Sequence, residues 1–217
     1  MKIIAHRGIG NVYKENTIDA IFESLKQRFN DGVEFDVRIT KDFKFVIHHD
    51  PFYKGHLIST TRAKVLQKLG LNTLEEILQK VHSNKIIMIE IKEERDKYHI
   101  LTAMLYRILK RYSLNYYLQS FNYNLIKYFK KKHPEFKCGL LIGIKMNVNK
   151  LDNDLDFNSI NYKHIKKAPL KETFVWTIDD KRQFDKLRDS FNIITDKSKY
   201  FYELIHGKDV SLPFQKL

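Results

Sequence analysis

The segment Val33-Glu34-Phe35-Asp36-Val37 puts two carboxylates on one face of a strand, because side chains along extended backbone alternate with a period of two. A third acid, Glu90, interrupts the apolar run Ile86-Ile87-Met88-Ile89-Glu90-Ile91-Lys92 and shares parity with Met88 and Lys92. On surface strands such acids merely solubilise. In central strands covered on both faces they repel one another, and a proton or a cation must compensate them. Glu34, Asp36 and Glu90 facing one cavity form an all-oxygen set suited to one hard divalent cation, Mg²⁺ or Ca²⁺. Lys92, a step beyond Glu90 on the same face, is placed either to hold an anion beside that metal or to pair with Glu90.

His6 and Arg7 end the first apolar segment, and Gly8 follows them, so backbone and guanidinium can both approach an anion. The planar fork of arginine suits a pair of phosphate oxygens. Phe45-Val46-Ile47-His48-His49-Asp50 adds two imidazoles. In a regular strand His49 shares parity with Phe45 and Ile47 while His48 points the other way, so one of the pair faces the site. Asp50, beside His49, is placed to hold an imidazole tautomer. Imidazoles, three carboxylates for one metal, an arginine and a lysine suit a phosphate ester: cations neutralise the phosphoryl oxygens while imidazoles move protons.

Short apolar or alternating segments must position these groups, and they alternate with amphipathic ones along the whole chain. Strands are predicted over residues 2–5, 32–39, 86–91, 116–120, 137–142, 157–160, 173–177 and 192–195, with a further short one over 44–48. Helices are predicted over 17–29, 73–81, 95–112, 123–132, 181–190 and 197–206, the second of them behind an Asn72 or Thr73 cap. Eight strands with helical crossovers predict the α/β class: one (β/α)8 TIM barrel over 1–217, with trimmed crossovers after its fifth and sixth strands. A doubly wound open sheet is the alternative. The polar groups cluster at the C-terminal ends of strands, where a barrel carries its site.

The chain has 217 residues, 43% of them apolar, enough for a sizeable core without disulfide staples, and its one cysteine, Cys138, excludes an internal disulfide. No stretch approaches the roughly 18 apolar residues of a membrane span, and no signal-peptide pattern follows Met1, so a cytoplasmic address is expected. The net charge is +13. Its densest run, Lys127-Tyr128-Phe129-Lys130-Lys131-Lys132-His133, lies late in a predicted helix, where cations are favoured anyway. Elsewhere the lysines are scattered, and no specific nucleic-acid partner is expected.

At these residues the sequence resembles the glycerophosphodiester phosphodiesterase family. The resemblance rests on an ordered set: His6-Arg7-Gly8, Glu15-Asn16-Thr17, Glu34-Phe35-Asp36-Val37, Thr40-Lys41-Asp42, His49-Asp50, Thr73-Leu74-Glu75-Glu76, Glu90-Ile91-Lys92, Gln119-Ser120-Phe121, Val175-Trp176-Thr177 and Ile193-Ile194-Thr195-Asp196. It implies a metal-dependent TIM barrel that hydrolyses glycerophosphodiesters to sn-glycerol 3-phosphate and an alcohol. It carries metal binding onto Glu34, Asp36 and Glu90, and general acid–base catalysis onto His6 and His49. Arg7 and Lys92 become phosphate contacts, Glu15 supports the metal or glycerol side, and Phe121 and Trp176 match positions lining the substrate pocket.

The sequence departs from the family pattern in several places. Lys14 replaces a proline, Phe43 a turn glycine, and the usual insertion shrinks to about residues 51–72. Asp179-Asp180 stands for Asn-Asp, and Asn192 alters the approach to the last strand. A second reading is a lysophospholipase D-like enzyme acting on lipids at a membrane, with peripheral attraction to anionic surfaces. A third is a non-catalytic basic binding module, against which the complete histidine and carboxylate set argues.

Overall fold

The computed structural model describes residues 1–8, 13–93, 98–143, 154–167, 171–187 and 191–207. In chain order the elements are β1 (Ile3–Ala5), α1 (Ile18–Lys26), β2 (Gly32–Ile39), β3 (Phe45–Ile47), β4 (Phe52–Tyr53), β5 (His56–Leu57), α2 (Ala63–Lys68), α3 (Leu74–Leu78), β6 (Ile86–Ile91), α4 (Tyr98–Leu109), β7 (Asn115–Ser120), α5 (Tyr123–Lys132), β8 (Lys137–Ile142), β9 (Phe157–Asn161), β10 (Glu172–Trp176), α6 (Lys181–Phe184), β11 (Phe191–Thr195) and α7 (Ser198–Ile205).

Strands β1, β2, β6, β7, β8, β9, β10 and β11 pair in parallel, and β1 pairs with both β2 and β11, so the sheet closes into an eight-stranded barrel. The open doubly wound sheet is therefore excluded. Parity decides what fills the barrel. Ile4, Ile86, Met88, Tyr117, Phe157, Phe174 and Ile194 form the inner apolar plug, with Trp176 against it. Gly139 is needed inside, since a Cβ there would lie 2.3 Å from the Phe157 ring. Opposite-parity residues such as Val33, Phe35, Val37, Ile87, Ile89 and Leu118 pack outward against α1, α3, α4 and α5. The helices owe their stability mostly to that apolar face rather than to propensity.

Caps set the helix starts. Thr17 accepts from Ala20 N–H, Asn122 from Leu125 N–H, and Thr73 with Glu76 closes a reciprocal capping box. α5 keeps its predicted range, α7 is one residue shorter at each end, and α1, α3 and α4 each end three residues earlier than the periodicity suggests. The last crossover helix is the sharpest case: α6 stops at Phe184, against a prediction of 181–190, of which 188–190 fall outside the described residues. After the sixth barrel strand a 3₁₀ segment, Tyr162–Lys167, replaces a helix as predicted. The crossover after the fifth strand falls largely on residues 144–153, outside the described residues.

β2 is longer than β1 and projects past it, and β3 takes up the freed edge, antiparallel, with Val37 opposite Ile47 and Ile39 opposite Phe45. The turn between them holds Phe43 at φ 57, the left-handed region that a glycine would occupy without cost. The returning backbone donates from His48 N–H to the Asp36 carbonyl (3.1 Å), which carries the His48-His49 pair back to the barrel rim.

Candidate active site at the C-terminal rim

Ligand oxygens of Glu34, Asp36 and Glu90 all lie within 4.8 Å of one another, and all three residues are buried. β2 and β6 pair with Asp36 opposite Glu90, so parity and register together create the cluster. Burial, and then the charge of Asp36, push the carboxyl of Glu34 up well beyond the usual range; burial and Asp36 do the same to Glu90. Asp36 goes the other way. Burial opposes its charge, but Lys92 and Arg7 beside it and the amide of Asn16 hold its carboxylate below the ordinary value.

Two cations partly compensate the three acids. Lys92 Nζ lies 2.5 Å from Glu90 Oε1 and 3.2 Å from Asp36 Oδ1. Arg7 Nε lies 3.3 Å from Asp36 Oδ2, while its Nη1 donates to Glu15 at 3.1 Å. Glu15 is thus a partner of Arg7, largely exposed, and its described contacts do not include the acid cluster. Lys92 sits in the ion-pair arrangement that the sequence left as one of two readings. The site still carries more acid than base, in an all-oxygen donor set, and that fits a hard divalent cation.

Both histidines suggested for proton transfer have Nδ1 tied to a carboxylate. His6 Nδ1 lies 2.8 Å from Asp196 Oδ1, and His49 Nδ1 lies 2.8 Å from Asp50 Oδ1. An imidazole that donates from Nδ1 keeps Nε2 for exchanging a proton. Burial works against a charged His6, yet the Asp196 hydrogen bond and the charge of Glu34 outweigh it and raise its pKa. Arg38 Nε donates to the His49 carbonyl at 2.7 Å and pins the loop. His48 turns away: its ring meets Tyr53 edge-on at 5.1 Å, and its Nε2 lies 3.2 Å from the Phe52 carbonyl. Of the adjacent pair it is His49 whose charge reaches Asp36.

Some site residues carried no assigned role in the sequence. Asn16 accepts from Asp36 N–H at 3.0 Å and donates to Asp36 Oδ2 at 2.8 Å. It adopts φ 54, and Arg7 adopts φ 50, with Asn16 N–H bonded to the Arg7 carbonyl at 2.9 Å. Two non-glycine residues in the left-handed region are positions held there by their surroundings. Asp196, which orients His6, is itself held through its N–H by Asp179 at 2.8 Å. The Glu15-Asn16-Thr17 and Ile193–Asp196 motifs contained both signals; spacing alone could not say what they touched.

The mouth is aromatic. Phe121 after β7 and Trp176 on β10 meet edge-on across it, centroids 5.9 Å apart. Beside them a cleft of about 410 Å³ is lined by Arg38, Glu90, Lys92, Glu93, Phe121 and Asn122. Gln119 Oε1, Ser159 Oγ and Trp176 Nε1 are buried, share the parity of the inner plug and find no hydrogen-bond partner among the described residues. Buried polar atoms without partners are uncommon, and of these residues Gln119 stands directly opposite Glu90 in the pairing of β6 with β7.

Comparison with known proteins follows the same outline. The profile described as "Glycerophosphoryl diester phosphodiesterase family" matches residues 6–171. A "Glycerophosphodiester phosphodiesterase" of Caldanaerobacter subterraneus is 27% identical over 238 residues, covering 94% of this chain and 97% of that protein. The crystal structure of a glycerophosphodiester phosphodiesterase from Thermotoga maritima superposes with a TM-score of 0.78 at 27% identity, covering 93% and 97% of the two chains. An Oleispira antarctica phosphodiesterase, solved with the product sn-glycerol-3-phosphate, shares the fold with a TM-score of 0.79 at 21% identity, covering 95% and 97%.

Proposed function

The chain belongs to the glycerophosphoryl diester phosphodiesterase family, and we propose that it hydrolyses glycerophosphodiesters to sn-glycerol 3-phosphate and an alcohol with the help of one divalent cation. The observation that carries this reading is the convergence of Glu34, Asp36 and Glu90 beside two Nδ1-anchored histidines. Glu34, Asp36 and Glu90 would hold Mg²⁺ or Ca²⁺, which supplies Lewis-acid neutralisation of phosphoryl charge. Arg7 and Lys92, which touch Asp36 and Glu90 at the edge of that cluster, would bind the remaining phosphate oxygens. Through Nε2 one of His6 and His49 takes the proton from the attacking oxygen and the other gives a proton to the leaving alkoxide, while Asp196 and Asp50 keep their rings oriented. Glu15 holds Arg7, and Phe121 with Trp176 screens the ester from water. The unpartnered Gln119, Ser159 and Trp176 atoms suit a glycerol moiety's hydroxyls. The whole chain reads as one domain with residues 51–72 as its insertion.

The deciding experiment is a matrix of metals and substrates, following release of glycerol 3-phosphate from glycerophosphodiesters with different alcohols and from lysolipids. Turnover abolished by EDTA and restored by Mg²⁺ or Ca²⁺ supports the reading; full turnover in EDTA refutes the metal. A His49→Ala variant with near-native activity would sink the two-histidine assignment.

A further inference from the structure

Residues 51–72 contain Lys54, Arg62, Lys64 and Lys68 and no aspartate or glutamate. The segment is a built lobe. Val46, Ile58, Leu66 and Leu71 give it a small core of its own, Lys41 N–H donates to the Thr61 carbonyl at 3.0 Å, and Ala63 N–H donates to Asp42 at 2.9 Å. These bonds seat it on the turn that ends β2, at the same end of the barrel as the acid cluster. None of the four cations forms an ion pair with a described carboxylate. Asp42, near Arg62, is already occupied by Ala63 N–H and the Thr40 hydroxyl.

On this lobe two large apolar side chains face solvent, Phe52 at 56% and Val65 at 42% exposure. The loop after β1 adds exposed Tyr13 and Lys14, and Lys14 Nζ lies 5.9 Å from the Tyr53 ring centre, so loop and lobe adjoin. We propose that this lobe docks the barrel mouth onto an anionic phospholipid surface. Lys54, Lys64 and Lys68, which have no carboxylate partner among the described residues, match anionic head groups, each contributing through the surface potential, and Arg62 beside Asp42 adds to them. Phe52, Val65 and Tyr13 are residues that gain by entering the interfacial region, which a purely electrostatic partner would leave in water. Nucleic acid fits less well: Tyr53 already has Lys14 and Lys54 over its ring, and Val65 offers no stacking surface.

The test is co-sedimentation of the full chain with vesicles of phosphatidylcholine alone and of phosphatidylcholine with phosphatidylglycerol, which requires no turnover and so is independent of the proposed reaction. The protein should sediment with the anionic vesicles only, and high salt should release it. Lys64→Ala and Lys68→Ala should each lower partitioning about fivefold, and Phe52→Ser should lower it at any salt. All three should hydrolyse soluble glycerophosphocholine like the parent chain. Equal binding to neutral vesicles, no binding to anionic vesicles at low salt, or variants that bind like the parent would overturn the proposal. So would retention on single-stranded RNA or duplex DNA without any on vesicles.

Discussion

One side chain grips Asp36 from two directions: Asn16 accepts its backbone N–H at 3.0 Å and donates to its carboxylate at 2.8 Å. Asn16 precedes α1 and Asp36 lies on the barrel wall, so the bonds fix where the carboxylate points, and Asn16 N–H, bonded to the Arg7 carbonyl, ties Arg7 to the same anchor. Asn16→Ala should leave a buried N–H without a partner, costing about 1–3 kcal/mol of stability. It should also weaken divalent-cation affinity about 10- to 100-fold, the usual effect of removing a group that orients a ligand. Chemical denaturation and calorimetric titration of Mg²⁺ and Ca²⁺ read the two effects separately.

Removing either imidazole should cost about 10²–10⁴ in kcat without unfolding the chain. Asp196→Asn is the finer probe. It keeps an oxygen for His6 Nδ1–H but removes the carboxylate charge that helps raise His6, so the His6 pKa should fall. Whichever proton His6 handles, the limb of the kcat profile that belongs to it should move to lower pH. An unmoved profile would assign Asp196 a structural role only.

The raised carboxyls make stability of the metal-free protein pH-dependent in an unusual sense. Glu34 and Glu90 titrate above their ordinary 4.5 when folded, so between that value and neutrality the folded chain binds more protons than the unfolded one. Their contribution to stability therefore falls as pH rises across that window. Asp36 is depressed, and its favourable contribution is complete above its ordinary 3.8 and is lost only as pH falls through the lower folded value. Melting curves in EDTA should show the loss between pH 5 and 8, and saturating Mg²⁺ or Ca²⁺ should reverse it, because the cation needs the carboxylates ionised.

Gly8 cannot be enlarged cheaply. It sits at φ 87, and a Cβ there would lie 2.7 Å from the Ala20 backbone carbon of α1. Gly8→Ala should destabilise by at least about 1 kcal/mol and lower kcat/KM by displacing His6 and Arg7. Denaturant midpoints and steady-state kinetics would show both.

Cys138 is buried on β8, and burial pushes its thiol far above the ordinary value. It should react with a thiol reagent only after denaturation. Rapid labelling of the native chain would contradict its place in the core.

Local pattern alone determined much of this protein. Short apolar or alternating runs set the ranges of β2, β6 and β8 and predicted eight barrel strands, and the period of two along a strand aimed Glu34 and Asp36 to one side. Those features are legible because each follows from neighbours a few residues away. What pairs with what was decided by the closed barrel. Asp196 reaches His6 across 190 positions and Asn16 reaches Asp36 across 20, and neither separation leaves any periodic trace. Parity put His49 on the same side as Ile47, but it was the antiparallel return of β3 along the projecting end of β2 that tied the His48-His49 pair to Asp36 through the His48 N–H, and Tyr53 and the Phe52 carbonyl that drew the His48 ring aside. The helix and strand periods are written into consecutive residues, whereas the partners of a buried charge are chosen only when distant strands are brought to one rim and water is excluded from between them.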